Sequence, residues 1–256
     1  VGYMLSKLGV DSLDELVGQT IPDDIRLNRK LKISEGLSEV AFLKRIRQIA
    51  AKNKVFKTYI GLGYYNTHTP SVIIRNVLEN PVWYTSYTPY QAEISQGRLE
   101  ALLNYQTVIT ELTAMEIANA SLLDEATAAA EAMIMMFNTR NRRQLKENVS
   151  VCLVDEAIWP QTRAVIETRA GGLGIILKYV PAEQMVFDSE KHFGAILQYP
   201  NAKGEVCDYG KLAHQIHEGE GKLAVATDLL ALTLLKPPGE WGADIVVGTS
   251  QRFGVP

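Results

Sequence analysis

Five short apolar runs in the second half of the chain constrain its fold more than anything that precedes them. They span residues 149–154, 175–180, 195–199, 223–227 and 245–247. Apolar runs of four to eight residues without alternation are strands buried on both faces, and each pair here is separated by enough chain for a helix or crossover. That spacing predicts an α/β fold, a mainly parallel sheet with helices packed outside it. Ligands of such sheets gather at the carboxyl ends of the strands, so Asp155, Asp228 and Ser250 mark where one would sit.

The front of the chain has a different period. Met4, Leu5, Leu8, Leu13, Leu16 and Val17 recur at near-helical spacing, broken by Gly9 and restarted behind Asp11 and Ser12, which can cap a helix. A second cap-like serine, Ser38, precedes a helix through Val40, Leu43, Ile46, Ile49 and Ala50. Residues 1–57 therefore read as a helical N-terminal arm and residues 58–256 as the α/β domain. Periodicity alone equally allows a surface hairpin of helices with no partner.

Between these regions, Pro70 can start a helix over 71–78, which Asn80 and Pro81 end. The stretch that follows carries Trp83, Tyr84, Tyr87 and Tyr90 with Pro81 and Pro89. It is too irregular for a strand and too proline-rich to begin as a helix, and turns helical only towards residues 91–117. A turn over 119–124 leads to an alanine-rich helix over 125–137, with Asp124 as its expected N-cap. The basic group Arg140, Arg142, Arg143 and Lys146 then reads as a solvated helix end complementing the dipole.

Composition excludes several functions. A net charge of -3 and a pI near 5.9 give no electrostatic basis for binding nucleic acid or an anionic membrane. No run approaches the roughly 20 apolar residues of a spanning helix. Cys152 and Cys207 lack metal-ligand spacing and read as free thiols in a reducing compartment. His68, His192, His214 and His217 form no metal set. Gly61-Leu62-Gly63 lacks the third glycine of a dinucleotide fingerprint. The start at Val1 and the stop just after an apolar run suggest a piece of a longer polypeptide.

Residues 59–70, 80–100 and 121–133 together resemble the N-terminal half of glycine decarboxylase, the P-protein family of the glycine cleavage system. The likeness runs from about Gly9 to Pro256. It implies a partial PLP-transferase-like domain of fold type I behind a helical arm that embraces a partner subunit or half. It also implies an enzyme that decarboxylates glycine with pyridoxal phosphate and passes the aminomethyl group to a lipoyl-carrying H-protein. By the same resemblance the cofactor's lysine belongs just beyond the strand that follows Asp228, where this chain reads Ser250-Gln251-Arg252-Phe253. A guanidinium stays protonated and forms no imine, and Lys236 lies before that strand on a proline-stiffened loop. No catalytic residue is thus expected within the chain, and the C-terminal half, or a separate β subunit, would hold the cofactor.

What the resemblance leaves here is a substrate-bordering wall of Tyr84, Tyr87, Thr88 and Tyr90, adjoining Gln91 and Glu93, with Tyr87 foremost. Asp228, Trp159, Arg252 and Thr127 would form a pseudo-site. Trp159-Pro160 stands where the family reads His-Pro, so its indole either mimics a stacking aromatic or plugs the site. The implied setting is an oligomer in the cytoplasm, or in the mitochondrial matrix of a eukaryote. Two other readings stay open: a non-catalytic scaffold of the same fold, and another pyridoxal-phosphate decarboxylase or transaminase.

Overall fold

A computed structural model describes residues 1–27, 29–84 and 91–254. The chain divides into two compact units, Val1–Lys57 and Thr58–Pro256. The first holds α1 (Gly2–Leu8), α2 (Leu13–Thr20) and α3 (Glu39–Ala50). Local signals set their ends: Gly9 closes α1 at φ 71°, the Ser12 hydroxyl accepts from the Glu15 amide, and Ser38 accepts from Ala41. Val10 is the one buried residue among those described in this unit.

In the second unit Pro70 precedes α4 (Ser71–Ile73), which widens into a π turn over Ile74–Leu78. Next comes α5 (Gln96–Thr113), shorter at both ends than its apolar spacing suggests. It stops because Ala114 turns left-handed at φ 56° where Gly239 packs on its carbonyl; a Cβ on Gly239 would come within 2.1 Å of that oxygen. Tertiary packing, not local sequence, ends the helix. In α6 (Glu125–Asn138), Asp124 and Thr127 form a reciprocal capping box.

The basic segment is a solvated helix end only at Arg142 and Lys146, which are exposed; Arg140 and Arg143 turn back onto the chain. Arg140 lies 3.5 Å from the Phe137 ring centroid and donates from Nε to the Phe137 carbonyl at 2.7 Å. Its other arm donates to Val149, tying the end of α6 to the first strand. Arg143, in α7 (Arg142–Lys146), donates to the Ser189 carbonyl at 3.2 Å. Spare guanidinium donors and buried carbonyls decide this, which charge pattern alone does not express.

The sheet comprises β1 (Val151–Asp155), β2 (Ile176–Val180), β3 (His192–Tyr199), β4 (Lys222–Asp228) and β5 (Ile245–Thr249), in the order β2-β1-β3-β4-β5. Every pairing is parallel. The crossovers use α8 (Pro160–Gly171) between β1 and β2 and α9 (Gly210–Glu218) between β3 and β4. Successive residues face opposite layers. Ala129, Met133 and Met136 of α6 pack with Ile166 of α8, Cys152, Ile196 and Ala224 on one side. Ala213 and Ile216 of α9 pack with Leu153, Leu197, Leu223 and Val225 on the other. Gly194 permits the closest approach: a Cβ there would lie 2.7 Å from the Lys222 carbonyl oxygen and 3.0 Å from the Met136 sulfur. All eight residues of β3 are buried. Among the described residues no helix is long and apolar enough to cross a membrane.

Candidate functional site

The carboxyl ends of β3, β4 and β5 open on a cavity of about 480 Å³ whose wall includes Trp159, Glu125, Gln198, Asp228 and Thr249. This is where a parallel sheet of this kind offers a ligand site. Asp228 ends β4, and Arg252 lies on the short helical turn Gln251–Phe253 directly after β5. Their side chains meet fork to fork: Nε reaches one carboxylate oxygen at 2.9 Å and Nη2 the other at 2.8 Å. Both are largely shielded, with side-chain exposures of 15% for Arg252 and 28% for Asp228. The guanidinium also lies 4.2 Å from the ring centroid of Tyr65.

A strap of the chain's own backbone closes over this pair. Gly61, Leu62 and Gly63 are all left-handed, at φ 69°, 57° and 81°. Two of the three positions are glycine, which takes such a φ without a Cβ clash. A Cβ on Gly63 would come within 3.3 Å of the Trp159 indole nitrogen, so the strap lies against that ring. Two glutamines clamp it: Gln161 donates to the Leu62 carbonyl at 2.6 Å and Gln251 to the Gly63 carbonyl at 2.7 Å. The Thr69 hydroxyl donates to the Gly254 carbonyl, fixing the strap's exit.

Trp159 is buried and precedes Pro160, the first residue of α8. Glu125 opens α6, and burial pushes its carboxyl up to about 7, with Asp228 and Asp124 adding to the rise and Gln198 opposing it. Thr127 serves the capping box, its amide and hydroxyl both engaged by Asp124. Asp155 accepts from the Ala157 amide at 3.0 Å and lies outside the cavity wall, as does Ser250. Tyr84 is exposed, and Tyr87, Thr88 and Tyr90 lie outside the described residues.

These residues do not fit pyridoxal phosphate. The carboxylate that would pair with its ring nitrogen is taken by Arg252. The indole that would stack on the ring carries the strap, and the helix end that would hold the phosphate presents Asp124 and Glu125. Asp228 and Arg252 join in one ion pair, a partnership sequence reasoning did not foresee. Glu125, Gln198 and Tyr65 were also missed as neighbours. The glycine pair at 61 and 63 was a visible signal for the strap, since isolated glycines in such a segment mark special backbone or close approach.

The model of the glycine cleavage system P-protein family matches residues 1–256. The chain belongs to that family. A glycine dehydrogenase (decarboxylating) from Bacteroides thetaiotaomicron is 58% identical over 253 residues, covering 99% of this chain and 27% of the relative. One from Xylella fastidiosa is 54% identical, covering 100% of this chain and 25% of the relative. The chain thus spans about a quarter of the length of these curated relatives. Among solved structures, glycine decarboxylase (P-protein) of the glycine cleavage system, in inhibitor-bound form, superposes with a TM-score of 0.85 at 34% identity. It is matched over 100% of this chain and 57% of its own. A sphingosine-1-phosphate lyase from Burkholderia pseudomallei, at TM-score 0.54, 11% identity and coverages of 78% and 49%, shares the fold. The five-stranded parallel sheet and its flanking helices described above therefore match part of the P-protein fold.

Proposed function

We propose that this chain serves as the cofactor-free part of a glycine dehydrogenase (decarboxylating). In that reading, pyridoxal phosphate is held by a lysine outside residues 1–256, in a C-terminal half or β subunit of an oligomeric assembly. Glycine loses its carboxylate there, and the aminomethyl group passes to the lipoyl arm of an H-protein. The chain's own contribution is a wall beside the substrate, formed by Tyr84, Tyr87, Thr88 and Tyr90. Tyr87 is the foremost of these, its hydroxyl orienting the glycine carboxylate. The cytoplasm, where thiols stay reduced, suits the two free cysteines.

The observation that carries this reading is the fork-to-fork pair of Arg252 and Asp228, at 2.9 and 2.8 Å, standing where a lysine and a free carboxylate would be needed. A guanidinium so placed neutralises the carboxylate and offers no nucleophile. The test is glycine-dependent exchange of labelled bicarbonate in the presence of H-protein. The full-length enzyme should exchange and the isolated 256-residue chain should not. Tyr87→Phe in the full-length enzyme should lower exchange while leaving the melting temperature within about 1 °C, since only a hydroxyl is removed. Parallel losses of activity and melting temperature would count against a substrate-bordering role.

A further inference from the structure

The short turn after β5 does more than occupy Asp228. Its consecutive residues, Gln251 to Gly254, each hold a different point of the chain between the strap and α5. Gln251 donates to the Gly63 carbonyl at 2.7 Å, and the Arg252 guanidinium lies over the Tyr65 ring. The Gly254 carbonyl accepts from the Thr69 hydroxyl. Gly254, at φ 92°, lets the two backbones come so near that a Cβ there would lie 2.9 Å from the His68 carbonyl oxygen. Phe253 meets Tyr105 of α5 edge to face, with ring centroids 6.5 Å apart. The turn is itself fixed to the sheet, since Arg252 forks onto Asp228.

The chain between these anchors runs from Pro70 to Asn104 and includes Tyr84, Tyr87, Thr88 and Tyr90. Among its described residues only Ser95 is buried. A segment with so little burial has no core to set its position, and is located by its ends. Within it, Arg98 of α5 donates to the Val82 carbonyl at 2.8 Å, so a displacement of α5 carries the residues beside Tyr84 with it. We propose that the turn over 251–254 is a positioning clamp, which fixes both ends of this segment and so sets the tyrosine-bearing wall against glycine. The proposal rests on the wall reading given above; the turn itself touches no substrate.

The test uses the full-length enzyme with H-protein and reads glycine kinetics in bicarbonate exchange together with amide hydrogen exchange over residues 71–104. Thr69→Val combined with Gln251→Leu removes both polar ties at the strap end while nearly keeping volume. The kcat/KM for glycine should fall about tenfold, mostly through KM, because a contact to the substrate carboxylate is made before that group leaves. The KM for H-protein should not change. Amides over 71–104 should exchange faster while those of β3 and β4 keep their protection. Thr69→Ser alone, which keeps the hydroxyl, should match wild type in both readouts. Phe253→Leu, which releases the α5 end, should repeat the pattern of the double variant and decides the matter if that variant does not fold. The proposal is overturned if neither protection over 71–104 nor glycine KM changes, or if β3 and β4 lose protection in step with the segment, as general destabilisation would produce. It is overturned alone if Tyr87→Phe raises the glycine KM and the turn variants do not. If Tyr87→Phe and the turn variants all keep the wild-type glycine KM, the wall reading falls and the clamp with it.

Discussion

The sheet and the N-terminal unit hold themselves together by opposite means. Every residue of β3 is buried, and Ile196 and Leu197 expose nothing. In α3, by contrast, Val40 is 79% exposed and Phe42, Leu43, Ile46 and Ile49 are all exposed. The sheet rests on long-range packing in two layers, whereas the helices of the first unit rest on caps and local spacing. Apolar side chains in α3 are arranged for burial that its own unit does not provide.

The contrast is broken most directly by truncating one apolar residue on each side. Ile196→Ala should cost about 3 kcal/mol, transfer plus cavity, measured by chemical denaturation of this chain. Ile46→Ala should cost no more than about 0.5 kcal/mol in the same assay. Equal losses would mean that the first unit has a core of its own.

A pH titration sharpens the same contrast inside the α/β unit. Burial raises the Glu125 carboxyl from 4.5 to about 7, so the folded chain holds this proton more tightly than the unfolded one. Stability should fall as pH rises from about 4.5 to 7, by up to about 3 kcal/mol, and the loss is complete above that. Glu125→Gln should flatten this part of the profile. An unchanged slope in the variant would assign the dependence to other groups.

Smaller effects follow from the ion pair and the caps. Arg252→Ala leaves Asp228 shielded without its partner and should cost about 2 kcal/mol, while Arg252→Lys should recover part of that, lacking the fork. Ser38→Ala removes the acceptor for the Ala41 amide and should cost about 1 kcal/mol, read as lost helicity in α3. If the cap proves as costly as Ile196, local signals would matter as much as packing.

The five strands were legible because parallel strands buried on both faces leave continuous apolar runs; those at 151–155, 176–180 and 222–228 fall where the runs lie. Caps at Ser12, Ser38 and Asp124 were legible because each uses a side chain within three residues of its amide. What escaped depends on contacts distant in sequence. The end of α5 needs Gly239, the fate of Arg140 needs Val149, and the strap needs Gln161 and Gln251. The strand-end site was half legible. Arg252 and Asp228 were each singled out, yet no single-residue argument brings two groups 24 positions apart into one fork.

The claim at the centre is that the strand-end site of this chain is closed to pyridoxal phosphate and serves a cofactor held elsewhere. The direct measurement is borohydride reduction of the full-length holoenzyme, followed by digestion and mass mapping of the pyridoxyl-bearing peptide. The account predicts that every modified lysine lies outside residues 1–256. A pyridoxyl group on Lys236, or on any other lysine of this chain, would contradict it.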